Sequence, residues 1–281
     1  MTNFDDTVLQ KIWDIEQEIL DVFHKVCAEN NLRYTLMYGT LIGAVRHKGF
    51  IPWDDDIDIA MPIEDYNKFI EIWNEDPPKG YVLQNYHNSP DFDQNFTKIR
   101  KDKTTFLQDE KESNKAYHKG IFIDIFPGYR VPESALKRVA QYVECAINLL
   151  YSRGHTSNSG GVIGIIENIL LFIPDKKRIE IRDNAEKDIF KLGKNGEKYL
   201  FPCTIGSCKK YYDENLFNNL ILMEFNGKKY YCTSKFDEIL HMGYGDYMQL
   251  PPKEERVWRH HPIIVDFERN FEDIPLSERS I

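Results

Sequence analysis

Four aspartates fall within five positions of this 281-residue chain: Asp54, Asp55, Asp56 and Asp58. They make up nearly half of its net charge of −9. In an alternating strand, residues two apart share a face, so Asp54, Asp56 and Asp58 are expected on one side and Ile57 and Ile59 on the other, in a core. Gathering carboxylates without counter-charge costs on the order of 3 kcal/mol per pair at ~6 Å in an effective dielectric of 20. A hard divalent cation, Mg²⁺ or Mn²⁺, offsets that cost with oxygen ligands alone. A third acid, Asp124, sits inside the apolar run IFIDIF. An isolated carboxylate there needs a partner, either the same metal or an ion pair with Lys98 or Arg100. Upstream, Gly39-Thr40 closes an apolar run and opens a helical turn, a place where backbone N–H groups can meet a phosphate.

The elements that must carry these residues can be read from periodicity. Residues 5–31 form an amphipathic helix, with Leu9, Ile12, Ile15, Ile19, Val22, Phe23 and Val26 at helical spacing. Residues 34–38 are a short strand, 41–47 a helical turn, 54–59 the acidic strand and 63–73 a helix. Strands follow at 81–86 and 96–100, a polar loop at 108–119, and a strand at 120–127 between breakers. From 133 to 192 the chain is helical, interrupted at 154–161. Residues 220–233 form a hairpin around Asn226-Gly227. The fold class is therefore α/β (α+β): a mixed sheet with flanking helices and a largely helical second half. The expected segments are 1–131 for the catalytic core, 132–219 for a helical insertion, and 220–281 for a hairpin and tail that complete the active site. The order of strand, Gly-Thr, helix, Asp-x-Asp strand and later strand with a third Asp is that of a nucleotidyltransferase fold.

Composition excludes other classes. With 42% hydrophobic and 29% charged residues, the chain is neither disordered nor fibrous. Its acidic balance argues against nucleic-acid binding. Five cysteines, an odd number, do not make a disulfide framework and fit a reducing compartment. Cys203 and Cys208 lack a second ligand pair at zinc spacing. The acidic, polar start does not read as a secretory leader, so a cytoplasmic protein is expected. The apolar stretch 162–174 is too short to span a membrane. It is either a buried helix or a helix touching the inner membrane surface.

The stretch YGTLIGAVRHKGFIPWDDDIDIAMPIEDY closely resembles the signature of the LicD family of phosphocholine and related transferases, to which fukutin-related proteins are more distantly similar. The likeness continues at TKIRKDKTTF, KGIFIDIFP and YGDYMQLPPKEERVWRHH, and is weak between about residues 131 and 225. It implies a nucleotidyltransferase-like fold and transfer of a phosphate-linked group, phosphocholine foremost. The donor would be CDP-linked, such as CDP-choline, and the acceptor a hydroxyl of a cell-surface, teichoic-acid or lipid-linked glycan, with CMP released. It assigns Asp56 and Asp58 to the metal-binding Asp-x-Asp and Asp124 to the third acid, with Mg²⁺ or Mn²⁺ as cofactor. Asp54 then stands behind the ligands and Asp55 faces away. The phosphate contacts expected are Gly39, Thr40, Arg46, His47, Lys98, Arg100, His260 and His261. A quaternary ammonium calls for aromatic faces, and Tyr244, Tyr247 and Trp258 lie nearest the motifs. The competing reading is a metal-dependent glycosyltransferase, which also uses Asp-x-Asp but releases a nucleoside diphosphate. A non-catalytic scaffold is disfavoured because all three acids are present.

Overall fold

The computed structural model describes residues 6–152 and 173–279. The stretch expected to break the helical half at 154–161, and most of 162–174, lie outside these. The helix α1 (Asp6–Glu29) buries Leu9, Ile12, Ile19, Leu20, Phe23 and Cys27. That spacing of three and four turns one stripe inward. Phe23 is completely buried and packs against Tyr34 and Phe69. Truncating it to alanine costs about 3–5 kcal/mol on the scale of core phenylalanines.

A short strand β1 (Thr35–Leu36) pairs antiparallel with β2 (Asp58–Pro62), Leu36 opposite Ile59. Between them run α2 (Tyr38–Ile42) and a π-helical turn, Gly43–His47. The acidic strand is thus shorter than expected, because 54–57 lie outside it. A turn bond from Asp54 N to Ile51 O (2.9 Å) and the Trp13 indole N–H donating to Asp54 O (2.8 Å) draw this backbone away from the ladder. Ile57 and Ile59 are completely buried, as the alternation requires. The helix α3 (Ile63–Glu75) follows directly.

The strands β3 (Tyr81–Gln84), β4 (Thr97–Lys101) and β6 (Phe122–Val131) complete a sheet of order β1-β2-β6-β4-β3. β6 runs past Pro127, where the sequence suggested a stop, because β7 (Lys198–Leu200) pairs with Tyr129–Val131. The polar stretch 108–119 includes one short helix, α4 (Glu110–Ser113). An unforeseen strand, β5 (Thr105–Leu107), pairs with β10 (Ile264–Asp266) in the tail. The hairpin β8 (Leu220–Phe225) and β9 (Lys228–Thr233) turns at Asn226-Gly227, both at positive φ (49° and 78°), which suits Gly and Asn.

Two compact units result. One joins Met1–Leu83, Lys98–Ile125 and Asn215–Ile281; the other joins Gln84–Thr97 and Phe126–Glu214. The first unit holds the acids, the hairpin and the tail. The second is built on the helices α5 (Ala135–Ser152) and α6 (Asp175–Gly193). All five cysteines are free thiols. No helix among the described residues is long and apolar enough to cross a membrane.

Candidate active site

Asp58 opens β2, and its backbone is gripped from both sides: Met37 N donates to Asp58 O (3.0 Å) and Asp58 N donates to the Thr40 hydroxyl (2.8 Å). Tyr38, between these two anchors, holds a positive φ of 46°, a costly conformation for a residue with a side chain. Gly39 faces the Asp54 carboxylate so closely that a Cβ there would lie 2.4 Å from Asp54 Oδ2. The strained turn thus lets the chain pass directly over an acid.

Around this turn lies a cavity of about 620 Å³, within the range of small-molecule sites. Its walls carry Asp54, Asp56 and Asp58 with Gly39 and Tyr38 on one side, and Tyr244, Tyr247, Gln249 and Arg259 from α7 (Phe236–Tyr244) and the tail on the other. Arg46 and Trp53 also line it. The three alternate acids therefore do meet one space, although a turn and a strand end bring them there.

The electrostatics are uncompensated. Burial, with Asp56 and Asp55 nearby, pushes the Asp54 carboxyl up to about 8. Burial also lifts Asp56 to about 6, with His260 opposing and Asp124 adding to the rise. Asp58 is raised well above the carboxylate range by burial and by Asp56, Asp124 and Asp54. Asp55 behaves oppositely. It is completely buried, and accepts from the backbone N–H groups of Arg259 (3.2 Å) and His260 (3.1 Å), with the His260 ring at 3.2 Å. Burial would raise it, but these bonds and the His260 charge hold it below its ordinary value. His260 is raised in turn: burial opposes its charge, but Asp55 and Asp56 outweigh that. Its ring stands edge-on to Phe122 and Phe106. Asp55, Asp56 and His260 bring three potential ligand atoms within 4.8 Å of one another. Because Asp55 is already fully engaged, this is a clasp for the tail more than an open cage.

The remaining expected residues are placed as follows. Asp124 joins the field of Asp56 and Asp58, and its N–H donates to Ile57 O (2.8 Å). Its carboxylate is ion-paired to Lys98 Nζ at 2.6 Å, both side chains buried. Lys98 also lies 3.3 Å from the Phe122 ring centre, and burial lowers its pKa despite Asp124. Arg100 is buried, donates to Gly120 O (2.8 Å) and lies over Phe122. Neither Lys98 nor Arg100 lines the cavity. Thr40 is spent on Asp58 N, and His47 stands beside Trp53 (6.3 Å between rings) outside the lining. Arg46 lines the cavity and donates to Tyr247 O (2.5 Å). His261 is exposed at a φ of 43° and does not line it. Of the aromatic candidates, Tyr244 and Tyr247 reach the cavity, whereas Trp258 packs on the Ile12, Phe106, Ile121 and Phe122 cluster.

Tyr38, Trp53 and Arg259 line the cavity but were not singled out from sequence as contacts. Trp53 adjoins the acids, and Arg259 belongs to the basic run that ends in His260 and His261, so position alone could have pointed to both.

Residues 31–144 match the family model described as LicD/FKTN/FKRP, nucleotidyltransferase domain. Over 263 residues the chain is 29% identical to the lipopolysaccharide cholinephosphotransferase LicD of Haemophilus influenzae, covering 86% of this chain and 92% of that protein. An uncharacterized protein of Rickettsia typhi is 43% identical over 65 residues, 23% of this chain and 20% of its own length. One of Rickettsia prowazekii is 29% identical over 120 residues, 42% of each chain.

Proposed function

We propose that the chain is a LicD-type phosphocholine transferase that uses CDP-choline, modifies a hydroxyl of a cell-surface glycan and releases CMP. The observation that carries this reading is the cavity in which Asp54, Asp56 and Asp58 face Arg46, Arg259 and aromatic rings. The Haemophilus influenzae relative, named for cholinephosphate transfer to lipopolysaccharide, supports the transferred group and the acceptor class.

The donor set fits a hard divalent cation. Asp54, Asp56 and Asp58 offer oxygen ligands to one cavity, and burial raises all three with neighbouring acids adding to the rise. Asp56 and Asp58 would hold Mg²⁺ or Mn²⁺, with Asp124 as the third carboxylate. When bound, such an ion supplies positive charge to phosphate oxygens.

The chain's own residues perform the rest. The guanidinium groups of Arg46 and Arg259 orient the diphosphate. The faces of Trp53, Tyr38 and Tyr244 receive the quaternary ammonium. The acceptor oxygen forms a bond to the choline-bearing phosphorus, the bond from that phosphorus to the bridging oxygen breaks, and CMP departs with the electron pair. The acceptor's proton passes to a cavity carboxylate. Asp54 and Asp58, which line the cavity, are the candidates for this, whereas Asp124 is already paired to Lys98.

The test is a reaction of the purified protein with CDP-choline, CDP-ethanolamine or CDP-ribitol, a glycan acceptor and Mg²⁺ or Mn²⁺. CMP release with choline on the glycan is the expected result. Turnover of nucleotide sugars with release of a nucleoside diphosphate would establish a glycosyltransferase instead.

A further inference from the structure

The Asp55 clasp fixes more than the course of the tail. Its carboxylate accepts from the backbone N–H groups of Arg259 and His260 and meets Nδ1 of the His260 ring at 3.2 Å. Phe122 and Phe106 close on that ring edge-on, at 5.6 and 6.3 Å between centres. The next residue, His261, turns the chain away at a φ of 43°, a costly conformation for a residue with a side chain. Held by a carboxylate and two aromatic rings, the imidazole has one orientation.

That orientation has a chemical consequence. With the Nδ1 proton given to Asp55, the neutral ring keeps a lone pair on Nε2. Nε2 makes no hydrogen bond among the described residues. It lies 3.9 Å from Asp56 Oδ2, too far for a hydrogen bond. Two ligands of one ion, each bonded at ~2.1 Å, stand about 3–4 Å apart, so this spacing suits an ion between them. Asp55, Asp56 and His260 also bring one ligand atom each within 4.8 Å of one another. Asp55 is spent on the tail, whereas Asp56 lines the cavity. A carboxylate behind an imidazole, with the far nitrogen bare, is how proteins orient a metal-binding histidine and raise its basicity.

We infer that His260 Nε2 is a nitrogen ligand of the divalent cation that Asp56 holds, with Asp55 as the carboxylate that positions its ring. The inference rests on the metal-dependent reading above and deepens it. It moves His260 from the expected phosphate contacts to the ion. It also bears on the ion's identity: Mg²⁺ takes oxygen ligands, so a nitrogen in the set favours Mn²⁺.

Electron spin-echo modulation of Mn²⁺ bound to the full chain tests this, because a directly bound imidazole nitrogen couples to the electron spin. The unaltered protein should show that coupling, and His260→Asn should lose it. Asparagine keeps an N–H near the place of Nδ1, so the bond to Asp55 survives while Nε2 is gone. By calorimetry, the Kd for Mn²⁺ should rise at least about tenfold in His260→Asn, and the Kd for Mg²⁺ by less. Mn²⁺ bound without nitrogen coupling in the unaltered protein overturns the inference and leaves the metal reading standing on carboxylates. Coupling that persists in His260→Asn also overturns it, passing the nitrogen to another of the chain's eight histidines. A rise below tenfold, or an equal weakening of both ions, overturns it too and leaves His260 to the clasp alone. If His260→Asn does not fold, His260→Gln is read by the nitrogen coupling. Absence of Mn²⁺ binding to the unaltered protein would remove the metal reading itself, and this inference with it.

Discussion

Glu186 and the Asp54–Asp58 acids are both largely buried carboxylates, yet their surroundings push them in opposite directions. In the second unit, Glu186 on α6 accepts from the hydroxyls of Tyr129 (2.5 Å) and Tyr86 and lies 3.4 Å from His87 Nε2. Arg182 covers the Tyr86 ring at 3.9 Å. Burial alone would raise Glu186, but the His87, Tyr129 and Tyr86 bonds hold it below its ordinary value. In the first unit, burial raises Asp54, Asp56 and Asp58, and neighbouring acids add to the rise. Burial is common to both, so burial does not mark a site. What distinguishes the first cluster is that neighbouring carboxylates add to the effect of burial, where hydrogen bonds oppose it at Glu186. The same contrast recurs within five residues: bonds from the tail lower Asp55, while Asp54, Asp56 and Asp58 are raised.

This contrast can be broken experimentally. The largest effect is expected from Asp56→Asn, which should lower CMP release from CDP-choline by about 10³-fold, or ~4 kcal/mol of barrier, and leave the metal-free melting temperature unchanged or higher. Retention of activity within tenfold would erase the distinction between the two clusters. Glu186→Gln should do the reverse: a loss of about 2–3 kcal/mol in denaturant midpoint analysis, with Mn²⁺ affinity unaltered. His260→Ala, which strips one donor from buried Asp55, should cost about 1–2 kcal/mol by the same measurement. It should also weaken Mn²⁺ binding, because the tail clasp then loosens.

The last effect comes from pH and is read as a shift in melting temperature. Asp54 and Asp56 titrate at about 8 and about 6 when folded, against ~4 for an unfolded aspartate. The folded state binds more protons, so their contribution is full below pH ~4 and is lost as pH rises through about 6 to 8. Glu186 has the opposite sign: its contribution is present above its unfolded value and is lost as pH falls through its lowered folded value. Thermal melts of the metal-free protein across pH should show Asp54→Asn flattening the alkaline side and Glu186→Gln flattening the acidic side.

Local chemistry made part of this legible in sequence. The hairpin 220–233 declares itself through Asn226-Gly227, and α1 through its apolar spacing. Asp54, Asp56 and Asp58 were readable as one group, though the reason differs, since only Asp58 is in a strand. Features set by distant pairings were not readable. β6 extends past Pro127 because β7 pairs with it, and β5 exists because tail residues 264–266 come back to it. For Asp124 the sequence left two partners open, and the Lys98 ion pair is the one seen. Arg100 read as a phosphate contact but is buried on Phe122 and Gly120 O.

The cavity has two walls of unequal tolerance. At Gly39 even a methyl group would be driven into Asp54, so that wall admits no variation. The facing wall is built from side chains such as Tyr244 (50% exposed) and Leu250 (44% exposed), on a stretch that precedes the Arg259-His260 pair whose N–H groups hold Asp55. Libraries confined to residues 244–252 are therefore expected to retune which head group the proposed transferase admits while the aspartate wall stays as it is.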